Sequence, residues 1–283
     1  MDQRVLAPTR ERSSVKLDDV PSTLLIPLAA RAFGDAIFPT FAAGDAFAAP
    51  ALRKMGVDVS TYLRDKPSVF GVLSRTQVFR QLALDFFERY PHAIGANLGC
   101  GMTHYFQWLD NRTNHWLDAD VAQVIQLRKR LLPADNKRHL NAVVDLRKPG
   151  WWQRLGLPDR NSAVPVLVIC EGVLMYLEAQ EVEHVLREFG QNAPAGSEML
   201  LDTLSWLAIG CAAMHQSVCH THAEFKWGSK HMRDFTAPHP RLTLRSEHPV
   251  MEAYDISMAL ACASFRALWG VPLYGIMRLS VEG

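Results

Sequence analysis

An excess of charge of either sign is missing from this chain. Its 30 lysines and arginines are matched by 29 aspartates and glutamates, a formal net charge of +1, so no overall field draws it to nucleic acid or an anionic membrane. Cysteine is scarce: Cys100, Cys170, Cys211, Cys219 and Cys262 are odd in number and form no Cys-x-x-Cys pair. That argues against a disulfide framework and leaves reduced, mostly buried thiols, the pattern expected of a cytoplasmic protein. No apolar run approaches the roughly 18 residues needed to span a bilayer. The charged stretch from Met1 to Asp19 holds no apolar signal-peptide core. Repeats, low-complexity tracts and long linkers are also lacking. The expectation is a single domain over residues 1–283, with a small-molecule substrate and neither a nucleic-acid nor a membrane partner.

What is present is 48% hydrophobic and 21% charged, a globular composition. Residues 1–90 read as a helical cap. One helix starts near Val20-Pro21-Ser22-Thr23 and runs through Leu25, Leu28, Ala29 and Ala32 to Gly34. Ser74-Arg75-Thr76 opens a second, with Val78, Leu82, Phe86 and Phe87 on one side and Pro91 at its end. The rhythm then changes to strand and helix in alternation. Strands are expected over 93–98, 115–120, 140–145, 164–170 and 199–204, which makes residues 91–204 a ligand-binding core. Such alternation favours a parallel sheet with helices on both faces. The run Arg128-Lys129-Arg130 falls on one of these helices and reads as a solvated face. Residues 205–239 are rich in aromatics and histidines and break the rhythm. An insertion there overhangs the strand C-termini, where open α/β sheets bind ligands, so it is a candidate lid. Strands over 241–244 and 274–281, with a helix from Met251 to Leu268, complete residues 240–283.

Four acidic positions and one turn carry the chemistry. Gly99 and Gly101 follow the first strand directly, where glycine lets the backbone turn tightly and approach a ligand. A dinucleotide fingerprint requires a third glycine at position 104, which is His104. The turn therefore suits a nucleoside without a pyrophosphate. Asp118 and Asp120 end the second strand, where an acid accepts hydrogen bonds from ribose hydroxyls. Asp120 is the nearer to the ligand edge, with helix capping as its alternative role. Asp145, ending the third strand, is a cap or an acceptor for an adenine amino group. Glu171 emerges from the apolar fourth strand and needs a cationic partner to offset its desolvation. A cationic ligand or a structural salt bridge supplies one.

The ordered set of motifs resembles the leucine carboxyl methyltransferase superfamily, including its bacterial polyketide O-methyltransferase-like branch. The resemblance rests on Thr23-Leu24-Leu25-Ile26-Pro27-Leu28 with Ala30-Arg31-Ala32, Ser74-Arg75-Thr76 and Asn97-Leu98-Gly99-Cys100-Gly101. It continues through Trp116-Leu117-Asp118-Ala119-Asp120 and Glu171-Gly172-Val173-Leu174-Met175-Tyr176-Leu177. It implies an α/β fold: a Rossmann-like, seven-stranded class I methyltransferase sheet with an N-terminal helical cap and a lid after the fifth strand. It also implies S-adenosylmethionine as cofactor and no catalytic metal. Arg75 would grip the cofactor carboxylate, Gly99 and Gly101 would pass the methionine moiety, Asp120 would hold the ribose, and Glu171 would contact the amino-acid end. Relatives commonly continue the glycine turn with Leu-Asp-Thr-Arg. This chain has Met102-Thr103-His104-Tyr105.

The reaction expected is O-methylation of a carboxylate or hydroxyl. A carboxylate acceptor is ionised at neutral pH and needs no base, whereas a phenol or alcohol profits from one. Candidates for that base are Tyr176, His215, His220 and His222. His215, Cys219 and His222 also share helical spacing, which admits a metal site beside the ordinary reading as lid residues. The aromatics Trp206, Phe225 and Trp227 are expected to line the acceptor pocket. Three alternatives stand: a protein C-terminal carboxyl methyltransferase, a catalytically impaired cofactor-binding homologue, and a nicotinamide-dependent oxidoreductase.

Overall fold

The computed structural model describes residues 22–133, 135–212, 217–221 and 223–282. Nine helices and seven strands are described. The chain opens with α1 (Leu25–Phe33), α2 (Ala48–Met55), α3 (Ser60–Arg64) and the long α4 (Lys66–Arg89). Strand and helix then alternate through β1 (Ile94–Leu98), α5 (Phe106–Leu109), β2 (His115–Asp120), α6 (Ala122–Leu131), β3 (His139–Val143) and α7 (Trp151–Arg154). The remainder is β4 (Val166–Cys170), α8 (Ala179–Asn192), β5 (Glu198–Leu204), β6 (Leu242–Pro249), α9 (Ile256–Trp269) and β7 (Tyr274–Val281).

The strands form one sheet in the order β3-β2-β1-β4-β5-β7-β6. β1 to β5 are parallel, and β7 runs antiparallel to both β5 and β6. Strand alternation sorts the core into two layers. Val166, Val168 and Cys170 point to the face covered by Trp151, Trp152, Val185 and Phe189. Leu167 and Ile169 point to the opposite face, against Phe79, Leu82 and Phe86 of α4. Both faces are therefore covered, as a parallel sheet requires. Strand order reverses between β1 and β4, so the crevice at their C-terminal ends is the topological switch point where such sheets hold ligands.

Several boundaries differ from expectation; β3, expected over 140–145, spans His139–Val143. α4 begins eight residues before Ser74, because Asp65 caps it by accepting from the Ser68 backbone N–H and Pro67 occupies its first turn. Ser74 and Thr76 lie inside the helix with their hydroxyls satisfied by the carbonyls of Val250 and Val72. β6 extends to Pro249 through polar Arg245, Ser246, Glu247 and His248, a composition that an edge strand tolerates and that carries no apolar signal. α9 starts at Ile256, where the Asp255 carboxylate accepts from the Met258 backbone N–H.

Candidate active site

The C-terminal ends of β1, β2, β4 and β5 open onto a cavity of about 690 Å³, inside the usual size range of small-molecule pockets. Gly99, Gly101, Asp120, Glu171, Arg75 and Tyr176 all line it. Gly99 has φ +61°, and a Cβ there would sit 2.3 Å from Val173 Cγ2. Glycine is thus required for the turn after β1 to pass beneath the loop after β4. Asp120 secures the same turn: its Oδ2 accepts from the Gly101 N–H at 2.8 Å and its Oδ1 from the Val121 N–H at 2.7 Å. Each oxygen keeps a lone pair for a ligand hydroxyl. Burial raises the Asp120 carboxyl above its ordinary value.

Asp118 is not brought to the cavity. It is fully buried under the glycine turn. Its Oδ1 accepts from Asn97 Nδ2 at 3.1 Å and from Trp116 Nε1 at 3.0 Å. Its Oδ2 is paired with Arg128 Nη2 and lies 2.8 Å from His139 Nε2, which must then carry the proton. The carboxylate is saturated, so its cofactor-binding assignment is replaced by a structural one. Arg128 is likewise no part of a solvated face. Buried and charged, it donates to the carbonyls of Gly101 and Thr103 and clamps the turn from below. Asp145 is also absent from the cavity lining; it lies two residues past the end of β3, its carboxylate engaged by Arg147 Nε at 2.8 Å and Nη2 at 3.0 Å.

Glu171 leaves β4 into a dense polar network. Its Oε1 accepts from Arg75 Nε at 2.8 Å, and its Oε2 accepts from the Tyr105 hydroxyl at 2.7 Å. The fully buried guanidinium of Arg31 lies 3.7 Å away. Burial would raise the Glu171 carboxyl, but Arg75 and Arg31 outweigh it and hold it below its ordinary value. Arg75 is engaged twice more, by Tyr274 Oη at 2.8 Å and Asp202 Oδ2 at 3.3 Å. No role in the site follows from the sequence for Tyr105, Arg31, Asp202 or Tyr274, although Arg31 and Tyr105 fall in the motifs quoted above. For Asp202 the signal existed: it emerges from apolar Met199-Leu200-Leu201 as Glu171 emerges from β4.

The sequence and fold of this chain have known counterparts. The family described as leucine carboxyl methyltransferase matches residues 27–190, more than half of the 283 residues. The chain belongs to the leucine carboxyl methyltransferase family. It is 31% identical over 242 residues to the tetracenomycin polyketide synthesis O-methyltransferase TcmP of Streptomyces glaucescens, covering 85% of this chain and 86% of that protein. It is 28% identical over 266 residues to the S-adenosyl-L-methionine-dependent methyltransferase dpfgK of Gibberella zeae, covering 87% of each. A methyltransferase structure from Thermobifida fusca YX shares its fold, with a TM-score of 0.54 at 14% identity over 93% of this chain and 96% of that one. The protein is therefore an S-adenosylmethionine-dependent methyltransferase.

The residues Met102-Thr103-His104-Tyr105 that continue the glycine turn are built into the site. The Tyr105 hydroxyl now holds Glu171, Thr103 offers its carbonyl to Arg128, and His104 packs edge-on to Phe47 with ring centroids 4.7 Å apart. The cavity meets the cofactor's chemistry. Among the described residues Nη2 of Arg75 has no hydrogen-bond acceptor, and Arg75 lines the cavity, so a donor pair is available to a carboxylate. Glu171 borders the cavity with its charge shared between Arg75 and Arg31, the salt bridge expected as its alternative role, and Asp120 offers acceptors to hydroxyls.

Beyond these charged groups the wall turns apolar. Leu207, Ala208, Val218 and Phe225 contribute from the segment after β5, and Met258 and Phe265 from one face of α9. The contribution of α9 was not anticipated. Of the three expected aromatics only Phe225 lines the cavity. Trp227 is packed into the main core against Phe235, and Trp206 lies under the Lys230 ammonium. His215 and His222 lie outside the described residues, and of His220 only the backbone is described, within a short helical turn over Val218–His220. Cys219 on that turn is exposed. Tyr176 does line the cavity, and burial pushes its phenol up to about 12. Among the described helices none is long and apolar enough to cross a membrane.

Proposed function

We propose that this protein transfers the methyl group of S-adenosylmethionine to a carboxylate or hydroxyl oxygen of a small, largely apolar molecule. The observation that carries this reading is one continuous cavity with charged groups at the strand ends and an apolar wall opposite. In this reading the Arg75 guanidinium meets the cofactor's carboxylate, Glu171 its ammonium group and Asp120 its ribose. When bound, the cofactor would supply an electrophilic methyl carbon to the acceptor oxygen, leaving S-adenosylhomocysteine; a carboxylate acceptor is already ionised, and a hydroxyl would release its proton to solvent.

The chain's own task is to orient the acceptor and exclude water. Phe225, Leu207, Met258 and Phe265 suit a flat apolar body, and binding it would desolvate the acceptor oxygen. Tyr176, protonated at neutral pH, donates a hydrogen bond rather than accepting a proton. The 31% identity to a polyketide O-methyltransferase supports an acceptor of that general kind.

The test is transfer of a labelled methyl group to a panel of polycyclic aromatic carboxylic acids and phenols, with a peptide ending in leucine as competitor class. Label in the aromatic acceptors is expected. Label confined to the peptide would overturn the proposal in favour of protein carboxyl methylation.

A further inference from the structure

Arg75 does not stand free in the cavity. An arginine side chain has five N–H donors in a planar fork. Nε donates to Glu171 Oε1, and Nη1 donates to both Tyr274 Oη and Asp202 Oδ2. Three donors are therefore committed, and among the described residues the two on Nη2 have no acceptor. The backbone opposite is Gly172, with φ +68°, where a Cβ would lie 3.2 Å from Arg75 Nη2. A side chain there would crowd the fork and push it aside by a few tenths of an ångström.

The two groups on Nη1 come from neighbouring strands. In the antiparallel pairing of β5 and β7, Leu204 sits opposite Tyr274 and Asp202 opposite Ile276. The Tyr274 hydroxyl accepts from Arg75 and donates its own proton to Asp202 Oδ2 at 2.7 Å. Asp202 is fully buried and outside the cavity lining. Its other oxygen accepts from the Gly172 N–H at 2.7 Å. One carboxylate thus fixes both the tyrosine that holds the guanidinium and the glycine it lies against.

We propose that Tyr274 and Asp202 are positioning residues that turn Arg75 so that Nη2 alone is presented to the cofactor's carboxylate. The inference rests on the assignment of Arg75 to that carboxylate. It assigns the contact with that carboxylate to a single, pre-oriented nitrogen. Pre-orientation matters because an arginine free to rotate must lose its rotamer freedom on binding, and that cost comes out of the affinity.

The experiment compares two ligands on the full chain. S-adenosylhomocysteine carries the amino-acid end, and 5′-methylthioadenosine lacks it while keeping the adenosine. Calorimetry on Tyr274→Phe and Asp202→Asn is expected to show about tenfold weaker S-adenosylhomocysteine binding with 5′-methylthioadenosine affinity changed by less than about twofold. Tyr274→Phe keeps the ring and guards against a folding defect in the aspartate variant. Because Tyr274 itself borders the cavity, the double variant Arg75→Lys/Tyr274→Phe is needed. It should bind S-adenosylhomocysteine no more weakly than Arg75→Lys alone.

Equal losses for both ligands, no loss for either, or additive losses in the double variant would each overturn the proposal. Arg75→Lys alone separates it from the reading beneath it. Wild-type affinity there removes Arg75 from the carboxylate. Weakened binding there, with Tyr274→Phe at wild-type affinity, removes only the positioning role.

Discussion

Asp118 and Arg128 form a buried ion pair directly beneath the turn that carries Gly99 and Gly101. Only two residues along β2, Asp120 reaches the cavity instead. Two carboxylates of one strand face thus do different work. Asp118→Ala should destabilise the fold by about 3–5 kcal/mol, because it strands the Arg128 charge in the interior. Asp120→Ala should cost about 1–3 kcal/mol in S-adenosylhomocysteine affinity. Chemical denaturation and calorimetry on both variants check the division, and a reversed pattern would move the ribose contact to Asp118.

His104 gives the fold a dependence on pH. Burial lowers its imidazole from 6.5 to about 4, with nearby His139 and Arg128 adding to the effect against the pull of Asp118. Between those values the unfolded chain binds a proton that the folded chain does not. Stability therefore rises with pH across this window and is lost as pH falls toward 4. The loss is on the order of 3 kcal/mol over the full window. His104→Gln should flatten the stability profile between pH 4 and 6.5 relative to wild type, as read by denaturation at a series of pH values. An unchanged slope would show that His104 does not carry the effect.

Phe225 and Trp227 lie two residues apart and should respond to truncation in opposite ways. Phe225→Ala enlarges the acceptor side of the cavity, so acceptor KM should rise severalfold while S-adenosylhomocysteine affinity stays near wild type. Trp227→Ala opens a void against Phe235 in the main core and should cost about 3–5 kcal/mol of stability. Steady-state kinetics and thermal denaturation distinguish the two.

Tyr105 is fully buried and bonded to Glu171. Tyr105→Phe removes one hydrogen bond to a charged group and should cost about 1.5–3 kcal/mol. With Glu171 less firmly held, S-adenosylhomocysteine binding should weaken while 5′-methylthioadenosine binding does not. Identical affinities for both ligands in variant and wild type would show that Tyr105 supports the fold alone.

The local pattern was sufficient for the order of the strands along the chain, though not for α2, α3 or the polar half of β6. β2 and β7 fall at residues 115–120 and 274–281, as their apolar content predicts. The glycine turn and Glu171 follow their strands because ligand crevices form at strand C-termini, and the identity of the turn residues is a short-range property. Partners distant in the chain were not legible. Nothing within reach of Asp118 in sequence says that Arg128, ten residues on and inside a basic run, folds inward to neutralise it. Arg75 reads as an exposed helix residue until β5 and β7 bring Asp202 and Tyr274 against it. Trp227 and Phe225 have the same local surroundings, yet one fills the core and the other the cavity. Periodicity and turn chemistry act over a few residues, so they specify strands, helices and glycine turns. Which carboxylate is neutralised from within and which is left to a ligand depends on groups up to 199 residues apart, and only the packed tertiary structure decides that.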